Sequence, residues 1–163
     1  MTVKNRSNPD YESLAEVRYQ MRQFQHFSEQ AARAAGLEPQ QHQLMLALKG
    51  LPAGVKPRVA ELAERLQIKH NSTVELINRL EAHGCIRREK SGEDRREVLV
   101  GLTQKGNRML RDLSLCHRDE LRKTGPSLIA ALQRAIDADG NPKSHAEGAS
   151  TKRRQVGKRG KRA

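Results

Sequence analysis

Between Lys69 and Arg96 the chain gathers side chains that make directional hydrogen bonds or carry fixed positive charge. One group is Lys69, His70, Asn71, Ser72, Thr73, Asn78 and Arg79. Asn offers a donor and an acceptor that match adenine, and Arg offers a fork that matches guanine. A second group is Arg87, Arg88, Lys90, Arg95 and Arg96, with Asp94 among them. Guanidinium groups along a ribbon meet phosphates, and one at its tip can enter a minor groove. A carboxylate at Asp94 can hold Arg96 by a charge-assisted bidentate bond and so fix the loop. This is the chemistry of recognition and not of catalysis. No nucleophile–base pair, phosphate-cradling glycine loop or carboxylate constellation occurs, so neither enzymatic activity nor a cofactor is expected.

These groups need elements to position them. A helix starting near Lys56 places Val59, Leu62, Ala63 and Leu66 on one face, and Ile68 closes the turn after it. Ser72-Thr73-Val74-Glu75 reads as a capping box opening a second helix. Val74, Ile77, Leu80 and Ala82 then point inward, and Lys69, His70, Asn71, Thr73, Glu75, Asn78 and Arg79 point outward. A solvated helix face would carry similar residues, so the ribbon that follows decides the matter. Gly84 ends the helix, Cys85 to Glu89 forms a strand, and Ser91-Gly92-Glu93-Asp94 turns the chain. The return strand is Glu97 to Leu102, with Val98 and Val100 in alternation.

Around this module lie helices. The longest, from Pro9 to Ala35, repeats Leu14, Val17, Met21, Phe24, Ser28, Ala31 and Ala35 at three- and four-residue steps. Pro39 to Lys49 carries Leu44, Leu46 and Leu48. Thr103 to Lys123 turns Met109, Leu110, Leu113, Cys116 and Leu121 inward, and Pro126 to Ala138 carries Leu128, Ile129, Leu132 and Ile136. Gly125-Pro126 is the expected break between the last two. Such apolar surface exceeds what a small module can cover, and pairing with a second copy is the economical solution.

The net charge of +12 over 163 residues points to a polyanionic partner. Eight Lys and Arg against Asp139 and Glu147 follow Asp137 in a stretch whose apolar residues are Ala and Val alone. Residues 139–163 therefore read as a basic disordered tail, and 1–8 as a flexible start. No stretch has the length of a membrane span, and a soluble, cytoplasmic, nucleoid-associated protein is expected. Cys85 and Cys116 are too few for a disulfide framework and read as small buried apolar groups. Redox sensing is the lesser alternative, in which His83 and Arg87 could lower the Cys85 pKa. No metal site is expected, because Cys116 and His117 are helix neighbours pointing about 100° apart.

The run Glu93-Asp94-Arg95-Arg96, continued by Val100-Gly101-Leu102-Thr103 and Gly106, resembles the wing signature of the MarR family of winged helix-turn-helix repressors. Glu61 to Leu66 and Leu80 to Arg88 are similar to that family's recognition region. The resemblance implies a mainly α fold: a winged helix-turn-helix at 39–102 with a β-hairpin wing, flanked by N- and C-terminal dimerisation helices at 9–35 and 103–138. It implies a homodimer on a pseudo-palindromic operator, with Asp94 and Arg96 stabilising the wing and Arg95 free for DNA. Recognition-helix contacts would fall on Asn71, Ser72, Thr73, Asn78 and Arg79. It further implies release by a small phenolic or otherwise anionic effector, for which Arg18, Tyr19, Arg22, His26, His42 and Met45 are the candidate lining. The reactive Cys that the family's peroxide sensors carry near the start of the first long helix is missing here. The alternatives are a nucleoid-type protein binding DNA without sequence preference through wing and tail, and an adaptor binding protein only.

Overall fold

The computed structural model describes residues 10–90 and 98–137. Its elements are α1 (Tyr11–Ala34), α2 (Pro39–Lys49), α3 (Val59–Leu66), α4 (His70–Ala82), β1 (Ile86–Lys90), β2 (Val98–Leu102) and α5 (Gln104–Asp137). The fold is mainly helical with one antiparallel hairpin, as expected. The flexible start, the wing tip and the basic tail lie outside the described residues.

Local chemistry sets most boundaries. Asp10 caps α1 by accepting the Ser13 N–H at 3.0 Å, and hydrogen bonding to Ser13, from its side chain first and its backbone second, holds the Asp10 carboxyl below the usual carboxylate range. Gly36, at φ 78°, turns the chain left-handed and lets the Leu37 N–H reach back to the Ala32 carbonyl. Leu37 is thereby folded into the core. The same closure ends α3, where Gln67 takes the left-handed position (φ 55°) and the Ile68 N–H reaches the Ala63 carbonyl. Ile68 packs on the core from there, so it does close the turn.

One cluster gathers Leu37, Leu44, Met45, Leu48, Leu62, Leu76, Ile77, Leu80, Ile86, Val100, Leu110 and Leu113. It draws on α2, α3, α4, both strands and the start of α5. In the hairpin, Ile86 pairs with Leu102 and Arg88 with Val100. Beyond the hairpin, the Val100 N–H donates to the Pro57 carbonyl at 2.9 Å, so the segment before α3 borders β2. At the start of α5, Thr103 Oγ1 donates to the Gly84 carbonyl at 2.7 Å and accepts the Gly106 N–H at 3.1 Å.

The last helix corrects the sequence reading. Gly125-Pro126 does not break it, and α5 runs on through Pro126. A mid-helix proline forfeits one backbone bond and crowds the preceding turn. Packing along α1 compensates: the helices run antiparallel, with Ser28 against His117, Arg134 beside Asp10, and Ala131 fully buried. Cys116 and Leu121 were expected inside but are exposed, because His117 takes the inward position on that turn. The seven-residue seam of α1 also divides. Ser28 is buried and Phe24 half-buried, while Leu14 and Met21 face away.

Among the described residues a broad apolar surface is left uncovered. It includes Tyr11, Leu14 and Met21 on α1 and Leu121, Ile129, Leu132 and Ile136 on α5, with Ile129 and Ile136 each about two-thirds exposed.

Candidate nucleic-acid interface

The phase of α4 decides which side chains can meet a partner. Its helix starts at His70, with the Thr73 N–H already bonded to the Lys69 carbonyl at 3.0 Å. The expected Ser72 capping box is therefore absent, since Ser72 lies inside the first turn and the capping position, Lys69, makes no side-chain cap. Thr73, Leu76, Ile77 and Leu80 are buried, the i, i+3, i+4, i+7 pattern of one helical face. Val74 is half-buried and Ala82 exposed, so neither is the inward residue expected. Thr73 is withdrawn from the predicted contact set: it is fully buried and its hydroxyl donates to the Lys69 carbonyl at 3.1 Å.

Opposite that buried face run Asn71, Glu75, Asn78 and Ala82, all exposed and spaced by four, three and four residues. Lys69, His70, Ser72 and Arg79 flank this ridge and are exposed as well. Arg79 lies 4.0 Å from Glu75, a loose surface pair that leaves its guanidinium mostly in water. The ridge mixes two carboxamides with one carboxylate and so offers donors and acceptors in a fixed order.

The hairpin stands beside α4 and is tied to it. Arg88 is half-buried on β1. Its Nη1 donates to the Glu81 carboxylate and its Nη2 to Asn78 Oδ1 at 2.6 Å, while its backbone N–H donates to Glu81 Oε1 at 3.3 Å. Arg88 thus faces the helix, whereas Arg87 is exposed and bonded to Glu89 on its own strand. Glu81 had no role in the sequence reading. The signal that finds it is pairing across the helix–strand junction, which spacing along one helix cannot reveal. Asp94, Arg95 and Arg96 lie outside the described residues.

The six candidate effector residues do not line a common cavity. Arg18, Tyr19, Arg22 and His26 are exposed on α1, while Met45 is fully buried in the core. His42 is also buried, stacked on His117 with ring centroids 4.8 Å apart. His117 donates from Nδ1 to the Leu113 carbonyl at 2.6 Å, and its Nε2 meets Ser28 Oγ at 2.7 Å. His42 Nδ1 has no hydrogen-bond partner among the described residues. Burial first, and the neighbouring His117 second, push the His42 pKa down to about 4. A shallow groove of about 580 Å³ lies instead where the end of α1 and start of α2 approach the end of α4, lined by Arg33, Glu38, Gln41, Arg79 and His83 among others.

Cys85 is fully buried, and burial pushes its thiol pKa up against the weaker pull of Lys105. The burial expected of Cys85 is therefore observed, and the lesser alternative of a thiol activated by His83 and Arg87 is not supported. Among the described residues no cluster of His, Cys, Asp and Glu could hold a metal ion, and no helix is long and apolar enough to cross a membrane.

The MarR family model matches residues 35–97, from the end of α1 into the hairpin. An uncharacterized HTH-type transcriptional regulator, YfiV of Bacillus subtilis (strain 168), is 38% identical over 56 residues, which is 34% of this chain and 35% of that protein. The match therefore spans about a third of that relative. Over longer stretches the fold is similar to AbsC, a MarR family transcriptional regulator from Streptomyces coelicolor (TM-score 0.62, 23% identity, 82% of this chain and 95% of that one). It is also similar to CouR, both from Rhodococcus jostii RHA1 bound to p-coumaroyl-CoA (TM-score 0.61, 16% identity, 87% and 100%) and as a transcriptional repressor bound to a 23-mer DNA duplex (0.57, 23%, 80% and 99%).

Proposed function

We propose that this chain, a MarR-family winged helix-turn-helix protein, is a DNA-binding transcriptional regulator that acts as a repressor. The observation that carries this reading is the exposed Asn71–Glu75–Asn78 ridge set opposite the buried face of α4. A helix anchored on one side, with carboxamides and cations on the other, is built to lie in a major groove. Lys69, His70, Asn71, Ser72, Asn78 and Arg79 then meet base edges and phosphates. Arg87, Arg95 and Arg96 follow the backbone, and Asp94 steadies Arg96. CouR bound to a DNA duplex lends support by likeness of fold.

The uncovered apolar surface of α1 and α5 is the dimerisation face, and a homodimer sets two heads on one side of a pseudo-palindromic duplex. Heads about 34–36 Å apart match one helical turn. In this division residues 9–138 form the functional unit, working in the cytoplasm on nucleoid DNA, and residues 139–163 add non-specific phosphate attraction. A small phenolic or anionic effector that alters the spacing of the heads would release the DNA, as the binding of p-coumaroyl-CoA by CouR suggests.

Selecting bound sites from random duplexes tests this directly. A palindrome with half-sites one turn apart is expected, and absence of any enriched sequence argues against it. The second reading, a nucleoid-type binder, is favoured by the basic residues after Asp137. Deleting residues 139–163 separates the two. Operator binding with a modestly reduced salt slope supports the winged core, and loss of all affinity supports the tail.

A further inference from the structure

From the Arg88–Asn78 contact we infer that Arg88 is a positioning residue that sets which base Asn78 reads, making that position select guanine and not adenine. The inference rests on the DNA-binding reading above. Asn78 stands on the outermost ridge of α4, and its carboxamide would ordinarily suit adenine, donating to N7 and accepting from the N6 amino group. Here its Oδ1 accepts from Arg88 Nη2 at 2.6 Å. A guanidinium has donors and no acceptor, so the amide must turn its oxygen to Arg88 and its NH2 away. Glu81 keeps Arg88 in place by accepting from both its guanidinium and its backbone N–H. The β1 register adds to this, since Arg88 sits across from the buried Val100.

Two consequences reach the base. The outward edge of Asn78 is a donor, and it suits an acceptor. The oxygen keeps a second lone pair, but an amino hydrogen approaching it meets the positive charge of Arg88. Adenine N6 is such a donor group, and so is cytosine N4. Guanine presents acceptors at both N7 and O6 in the major groove and meets no such repulsion, whereas thymine offers the single acceptor O4 beside its C5 methyl and so gives the NH2 one partner in place of two. Arg88 acts on the base through Asn78 and need not touch DNA.

The test is site selection from random duplexes with the full-length wild type, Asn78→Ala, Arg88→Met, Glu81→Gln and the double variant N78A/R88M. Asn78→Ala locates the position, as the one where preference disappears. Wild type is expected to select guanine there. Arg88→Met is expected to shift preference toward adenine by about tenfold, the scale of one bidentate pair. Glu81→Gln shifts it the same way by less, and keeps the test alive should Arg88→Met fail to fold. The double variant is expected to be indifferent at that position, as Asn78→Ala is. If Arg88→Met weakens every duplex equally and guanine is retained, Arg88 is a phosphate contact and the inference is overturned. A wild type that binds a defined site with adenine at that position overturns it alone. A wild type that binds no duplex overturns the functional reading as well.

Discussion

The His42 ring lies on that of His117, with planes 24° from parallel, where α2 meets α5. Charging His42 would place a cation in an apolar setting against a second imidazole, so the folded protein refuses the proton. Its folded pKa is about 4 against an ordinary 6.5. Stability from this group is complete above 6.5 and is lost as pH falls from there toward 4, because the unfolded chain takes up a proton the native state rejects. The loss is on the order of 3 kcal/mol at most, from the size of that shift. Urea titrations at pH 7.5 and 4.5 should show it in the wild type and show much less in His42→Leu; equal acid losses in both would refute the assignment.

Gly106→Ala should destabilise the fold although alanine favours helices. A Cβ at Gly106 would sit 2.0 Å from the Cys85 carbonyl oxygen, and backbone cannot step aside cheaply. A cost of about 3 kcal/mol or more is expected, at the upper end for overpacking. Gln104→Ala, on the exposed side of the same turn, should stay within about 0.5 kcal/mol of wild type. Denaturant midpoints decide it, and a neutral Gly106→Ala would mean that the strand–helix junction relaxes.

Pro126→Ala should raise the melting temperature. The substitution restores an N–H able to bond the Arg122 carbonyl within a continuous helix, at an exposed position. A gain of about 1–3 kcal/mol follows from the cost of interior proline. A drop in melting temperature would show that the ring itself makes a contact, as it would against a second copy.

If the protein is the homodimer proposed above, Ile129→Glu with Ile136→Glu should convert it to monomers. Both side chains are largely exposed within one chain, and neither supports its core. Sedimentation velocity is expected to show half the wild-type mass, with unchanged helical content and strongly reduced operator affinity. A dimer that survives both charges would place the dimerisation face elsewhere.

Element types were legible in the sequence because their signals are local. Apolar spacing marked α3, Gly84 at φ 68° ended α4, and alternation of Val98 and Val100 marked the return strand. The phase of α4 was misread by one residue because Ser72 and Glu75 imitate a capping box, while the buried position is held by a threonine. A hydroxyl satisfied by its own helix backbone is as buriable as a methyl, and polarity alone hides that. The pairings of Arg88 with Asn78 and of His42 with His117 were beyond reach for another reason. They join residues whose proximity is set by how elements pack and not by their spacing along the chain.

The hairpin's base is moored on both flanks, by the Val100 N–H to the Pro57 carbonyl on one side and by Arg88 to Glu81 on the other. A force that lifts this ribbon must therefore drag the front of α3 and the rear of α4 with it. On the DNA-binding reading proposed above, the two surfaces would engage or let go together, like jaws on one hinge, and a signal would need to move only one of them to disarm both.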